Sequence, residues 1–369
     1  MINKAIQAYQ LGQSFWYDNI QKKLLDSGEL ADMVKRGEIY GVTSNPSIFN
    51  NAIGKTSDYD ESLIPLAKDG KTSEEIYEAL AVSDIQRAAD IFYGIYEKSN
   101  KIDGYVSLEV NPDLANDTEG TIVDAERFWN LVDRPNLMIK IPATKAGLPA
   151  VRKVISMGIN VNVTLIFSVE RHIAVMEAYL AGLEDRVNAG KSIEGIASVS
   201  SFFISRIDSK IDKFLSGAEN KEIAEELKGK IAIANAKKAY QEFMKVFEAK
   251  RFLDLNEKGA MVQRPLWAST STKNPEYPDV LYIDKLIGPF SVNTIPPTTL
   301  TAFLDHGSIS PELMINVEES LKYLELLREI GIDLEKATDE LEEEGVAAFS
   351  KAYHDLLGTV ETRRIEALE

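Results

Sequence analysis

Eight short runs of strand-forming residues recur along this 369-residue chain, each followed by a stretch that reads as helix. The runs are Ser14–Asp18, Tyr40–Asn45, Tyr105–Val110, Leu137–Thr144, Asn160–Phe167, Ile196–Ile204, Pro265–Thr272 and Ser291–Ile295. A strand that returns through a helix joins its predecessor in parallel. Eight such units in about 300 residues are the pattern of an α/β chain closed into a (β/α)₈ TIM barrel. A doubly wound open sheet also alternates in this way, but no glycine fingerprint for a dinucleotide comes after the first run. We therefore expect residues 1–369 to form a single barrel domain with additional N- and C-terminal helices. Met1–Gln13 reads as a lead-in helix. Residues 311–369 read as a glutamate-rich helical tail, divided at Gly331 and at a hinge at Gly345, which either packs on the outside of the barrel or lays Phe349 and Tyr353 over its mouth as a lid. The clearest helix is Ser73–Ser99, entered through Thr72 or Ser73 with Glu75 nearby as capping-box material.

Composition removes several classes of function. Apolar residues make up 44% and charged residues 27%, enough material for a large core. The formal charge of −17 opposes general binding to nucleic acid or to anionic membranes, so basic groups for an anionic ligand must be gathered locally. No run approaches the roughly eighteen apolar residues of a membrane span. Absence of a signal-peptide pattern makes a cytoplasmic location the expectation. With no cysteine there are no disulfides, thiolate nucleophiles or zinc–thiolate sites. His172, His306 and His354 show no metal-ligand spacing and are each expected on a helix or loop surface. No metal or cofactor site is legible. A monomer and a homodimer both remain open.

The strand Leu137–Thr144 carries the most informative residue. Its alternation sets Ile139 and Ile141 on one face and Met138 and Lys140 on the other. Burying an ammonium among apolar residues is unfavourable. Either Lys140 escapes to solvent or pairs with a carboxylate, or its amine serves as a nucleophile toward a carbonyl. Other strands repeat the pattern at their C-terminal ends, where a barrel gathers its functional groups. Asp18, Asn45 and Glu109 stand at the ends of the first three runs, Asn162 and Thr164 on the fifth, Ser201 and Arg206 at the end of the sixth, and Ser271 and Lys273 at the end of the seventh. Singly, each has a structural explanation: Asn45 before Pro46 is a turn signal, and Asp18 and Glu109 serve equally as salt-bridge partners. Together they occupy positions that a core would fill with Val, Ile or Leu. An amine with two carboxylates fits imine chemistry on a ketone, with the iminium as electron sink for breaking a C–C bond. Arg206 and Lys273 are placed to hold a phosphate. A glycoside hydrolase built on Asp18 and Glu109 would leave Lys140 and the two later cations without a role. A barrel that binds a sugar phosphate without turning it over would not need the full set.

These residues sit in motifs that resemble the transaldolases. VTSNPSIF at Val42–Phe49, SLEV at Ser107–Val110, MIKIPAT at Met138–Thr144, NVTLIFS at Asn162–Ser168 and SFFISRID at Ser201–Asp208 carry the resemblance. VNTIPPTTL at Val292–Leu300 and AFSKAYHDLL at Ala348–Leu357 are similar to the longer bacterial branch. The resemblance implies a cofactor-free (β/α)₈ enzyme of the pentose phosphate pathway, acting on phosphorylated sugars. Lys140 would form a Schiff base with C2 of sedoheptulose 7-phosphate or fructose 6-phosphate, passing dihydroxyacetone to glyceraldehyde 3-phosphate or erythrose 4-phosphate. It further implies Asp18 as acid/base at the C4 hydroxyl and Glu109 with Thr164 on the water. Asn45 and Asn162 would bind the dihydroxyacetone hydroxyls; Ser201, Arg206 and Lys273 would take the phosphate. The shorter branch has an arginine in an ASFRN setting where this chain reads STSTKN at Ser269–Asn274. Relatives that act as fructose 6-phosphate aldolases tend to carry Gln and Tyr at the positions of Glu109 and Phe203. The residues here therefore favour transfer over release, with the aldolase as the alternative.

Overall fold

A computed structural model describes residues 2–54 and 56–369. Eight parallel strands close on themselves in sequence order: β1 (Gln13–Tyr17), β2 (Gly41–Val42), β3 (Val106–Glu109), β4 (Leu137–Pro142), β5 (Val161–Ile166), β6 (Ser198–Phe203), β7 (Arg264–Ala268) and β8 (Ser291–Ile295). The last strand pairs with the first, from Gln13 against Ser291 to Tyr17 against Ile295. Every strand residue is buried, as expected when helices cover the outside and side chains fill the inside. The expected barrel is thus the observed one. Register decides the inward set: Lys140 pairs with Glu109 on β3 and with Asn162 on β5, so all three project from one level of the wall.

Local chemistry accounts for the departures from expectation. β7 stops at Ala268, short of Thr272, because Ser269 takes a left-handed backbone (φ 56°). Ser271 and Lys273 consequently lie in the loop beyond the strand. Arg206 is in the first turn of helix Ser205–Gly217 rather than on β6. In β5 the pairing with β6 slips between Val163 and Ile166, a bulge made by Leu165 in the left-handed region (φ 59°). A branched side chain there is strained, by about 1 kcal/mol. The expected capping box forms, with Thr72 rather than Ser73 as its cap and Glu75 as its partner, and opens helix Ser73–Lys98.

In the tail, one expectation fails and one alternative is decided. Gly331 does separate two helices, Val317–Glu329 and Leu334–Glu366. Gly345 is no hinge: the second helix runs through it unbroken, and the missing side chain has another cause. A Cβ on Gly345 would stand 3.0 Å from Leu165 Cδ2, so the glycine lets the helix lie down on the β5 bulge. The helix therefore crosses the C-terminal mouth of the barrel, with Phe349 over Lys140, and of the two placements open from the sequence it takes the lid. It is fastened along its length. Arg171 pairs with Glu342 (3.0 Å). Lys210 pairs with Glu340 (2.7 Å) and Glu344 (2.8 Å). Ser350 donates to Asp113 (2.5 Å), Tyr353 to Glu74 (2.8 Å) and Thr359 to Asn50 (2.9 Å). Arg363 reaches Asp60 and the carbonyls of Ile53 and Thr56. Pairs that solvent still reaches contribute about 0–1 kcal/mol each; it is their distribution on several sides of the mouth that holds the helix in place.

Candidate active site

Lys140 is buried at 6% exposure, with Glu109 beside it equally buried. Its Nζ lies 3.6 Å from Glu109 Oε2, an ion-pair separation longer than a hydrogen bond, and donates to the carbonyl of Ser44 at 3.3 Å. Neither carboxylate oxygen of Glu109 has a hydrogen-bond partner among the described residues, and neither does Thr164 Oγ1. Buried polar groups left in this state are uncommon, because each loses its bonds to water without replacement. Burial, opposed by the Lys140 charge, pushes the Glu109 carboxyl up to about 7. Asp18, half-buried just past β1, is also raised by burial, with Lys140, Thr43 and Lys273 pulling the other way. Two carboxylates flank one amine, and the more deeply buried of them titrates near neutrality.

Hydrogen bonds fix the orientation of the remaining groups. Thr43 Oγ1 donates to Asp18 at 2.7 Å and itself meets Thr294 Oγ1, so the Thr294 hydroxyl is the donor in that second bond. Asn162 donates to Ser107 Oγ (3.1 Å) and accepts from Ser201 Oγ (2.6 Å), which sets its amide the right way round. Asn45 accepts from the Ile48 N–H at 3.1 Å, at the start of helix Pro46–Gly54. The Arg206 guanidinium sits 5.4 Å from the centre of the Phe203 ring. It faces a cleft lined also by Lys210, Lys213, Phe214, Glu340 and Glu344. Lys273 is exposed and donates to Ser271 at 2.9 Å.

The structure thus gathers Lys140, Glu109, Asp18 and Asn162 at the mouth of the barrel, with Ser201 and Phe203 on the adjoining wall. Arg206 stands beyond that wall, and Lys273 stays at the solvent edge. The supporting residues Thr43, Thr294 and Ser107 escape a sequence reading, although the alternation of Ser107 with Glu109 puts both on one face. His172 corrects the expectation of three surface histidines. It is fully buried behind the barrel wall, shares a 2.9 Å hydrogen bond with Ser200 Oγ, and has its pKa pushed down to about 4 by burial. Among the described residues, no three His, Cys, Asp or Glu side chains are grouped as metal ligands. No helix among them is long and apolar enough to cross a membrane.

A lysine at the centre of β4 with a carboxylate from β3 is an arrangement that comparison with known proteins can test. The family model described as Transaldolase/Fructose-6-phosphate aldolase matches residues 15–360. The chain belongs to the transaldolase/fructose-6-phosphate aldolase family. It is 47% identical over 370 residues to "Transaldolase 2" of Nostoc sp. (strain PCC 7120), covering 98% of this chain and 97% of the relative. "Transaldolase" of Trichodesmium erythraeum is 46% identical with the same coverage. "Transaldolase 1" of Streptomyces avermitilis is 48% identical over 352 residues, covering 95% of this chain and 93% of the relative. The match runs from within β1 through the other seven strands and most of the tail helix. The helix that crosses the mouth is therefore inside the family match and not an appendage to it.

Proposed function

We propose that this chain is a transaldolase that carries dihydroxyacetone from a ketose phosphate to an aldose phosphate through an imine on Lys140. The observation that carries the reading is a buried amine beside a buried carboxyl that titrates near 7 and has no hydrogen-bond partner among the described residues. In this reading the Lys140 nitrogen adds to C2 of sedoheptulose 7-phosphate or fructose 6-phosphate. Glu109 gives a proton to the departing hydroxyl, and Thr164 holds the released water. Asp18 then takes the C4 hydroxyl proton while the C3–C4 bond breaks and its electron pair moves into the enamine. Asn162, held by Ser107 and Ser201, and Asn45, through its amide nitrogen, bind the hydroxyls of the three-carbon unit. Arg206 takes the phosphate and Lys273 supports it from the rim; Ser201 joins them only by giving up its bond to Asn162. Residues 1–369 work as one barrel unit, in which the tail from about 311 closes the site. The acidic charge and the sugar-phosphate chemistry fit a cytoplasmic enzyme.

Borohydride trapping with fructose 6-phosphate, followed by peptide mass spectrometry, tests this reading. A three-carbon adduct is expected on the peptide containing Lys140, diminished when erythrose 4-phosphate precedes the reductant. No adduct on any lysine would overturn the imine mechanism. An adduct that erythrose 4-phosphate leaves untouched would make the protein an aldolase.

A further inference from the structure

Phe349 stands where no barrel residue can stand, above the amine. It projects from the tail helix with its ring centre 5.2 Å from Lys140 Nζ and 6.5 Å from the ring of Phe203, edge to face. Phe203 in turn lies 5.2 Å from Phe167. Three aromatic rings therefore run from the amine across the side of the mouth formed by β5 and β6. The half-buried Phe349 ring is held by its helix: Gly345 rests on Leu165 before it, and Ser350 bonds Asp113 after it. With 5.2 Å between nitrogen and ring centre, carbons attached to Lys140 on that side come within van der Waals reach of a ring with no proton to give.

This geometry bears on the fate of the three-carbon enamine, and its consequence for specificity rests on the imine reading of Lys140. In transfer, the enamine electron pair forms a C–C bond to the acceptor aldehyde carbon, and the aldehyde oxygen takes a proton. In release, the same pair takes a proton at C3 instead. Water then adds to C2, the C–N bond breaks, and dihydroxyacetone leaves with the amine restored. The branches part at C3 protonation, so whatever lies against C3 decides between them.

We propose that Phe349 is a specificity-determining residue for transfer: its ring covers the enamine and keeps water from C3, so that the proton held on Asp18 is spent on the acceptor oxygen when the aldehyde arrives. Phe349→Ala admits water to that position, and Phe349→Tyr keeps the ring while adding a hydroxyl. The test measures, from fructose 6-phosphate, dihydroxyacetone released without acceptor and sedoheptulose 7-phosphate formed with erythrose 4-phosphate. The ratio of release to transfer should rise by about tenfold or more in both variants. In D₂O the released dihydroxyacetone should carry deuterium at the former C3. A merely structural role would lower both products together. An unchanged ratio in both variants, with the Lys140 adduct still trapped by borohydride, would overturn the assignment to Phe349 and leave the imine mechanism standing. Absence of that adduct from the unaltered protein would overturn both. If Phe349→Ala fails to fold, the Phe349→Tyr ratio decides alone.

Discussion

The barrel holds a buried cation and a carboxylate at each of its ends, and the two pairs are built differently. At the floor, Asp103 accepts from Ser14 (2.7 Å), from the Trp16 indole (3.1 Å) and from Arg264 (2.9 Å). Arg264 also donates to Ser14 and to the Ile102 carbonyl. Its planar fork satisfies several acceptors at once, so the charge is locked in place. At the mouth, Lys140 and Glu109 stand 3.6 Å apart and the carboxylate oxygens have no hydrogen-bond partner among the described residues. A saturated pair is a structural element; an unsaturated one keeps lone pairs and protons available for another molecule. The same fold thus holds one ion pair for stability and another for chemistry, and the hydrogen-bond inventory tells them apart.

Substitutions at the two ends should therefore have opposite signatures. Lys140→Met should reduce turnover by about 10⁴-fold, or about 5.5 kcal/mol, with little change in melting temperature, since Glu109 can meet the loss by holding a proton. Full activity in steady-state assays would erase the distinction. Asp103→Ala should do the reverse, costing about 3–5 kcal/mol by leaving Arg264 buried without its partner. Denaturant titration reads this, and the fraction that folds should retain near-normal turnover. Glu109→Gln should lower kcat/KM by about 100-fold and remove an ionisation near pH 7 from its pH profile. Stability should respond as well. The Glu109 pKa is raised in the folded state, so its contribution is fully present below the ordinary carboxyl value and is lost as pH rises through about 7. The glutamine variant should accordingly be more stable relative to wild type at pH 8 than at pH 5; melting curves at the two values check it. Arg206→Ala should have the smallest effect, raising KM for phosphorylated sugars by about tenfold with kcat less affected. An unchanged KM would place the phosphate elsewhere.

The strands are legible because alternation with period two is a strong signal, and Lys140 stands out within one of them. Their polar ends reveal most of the mouth for the same reason. What the chain does not announce is which of two similar features is saturated. Arg264 adjoins Pro265 at the start of a strand and gives no sign of the floor network. Strand propensity in Ser-Thr-Ser-Thr carries the expected β7 too far, while the left-handed Ser269 that ends it depends on tertiary packing. His172 escapes prediction because a polar aromatic on an amphipathic helix can face either way. The tail shows apolar spacing from Leu341 through Phe349 and Tyr353 to Leu356, which predicts a buried stripe. That spacing cannot say which surface of the barrel the stripe covers.

Gly345 sets the height of the ceiling over the amine without touching it. A methyl group there would meet Leu165 Cδ2 at 3.0 Å, so either the leucine turns aside or the helix lifts by a few tenths of an ångström. Phe349 is one helical turn further along, about 6 Å on, and rises with it. The headroom above the reacting carbons is thus gauged by a residue with no side chain, resting on a strained leucine, and one carbon atom at position 345 resets it wherever that leucine does not turn aside.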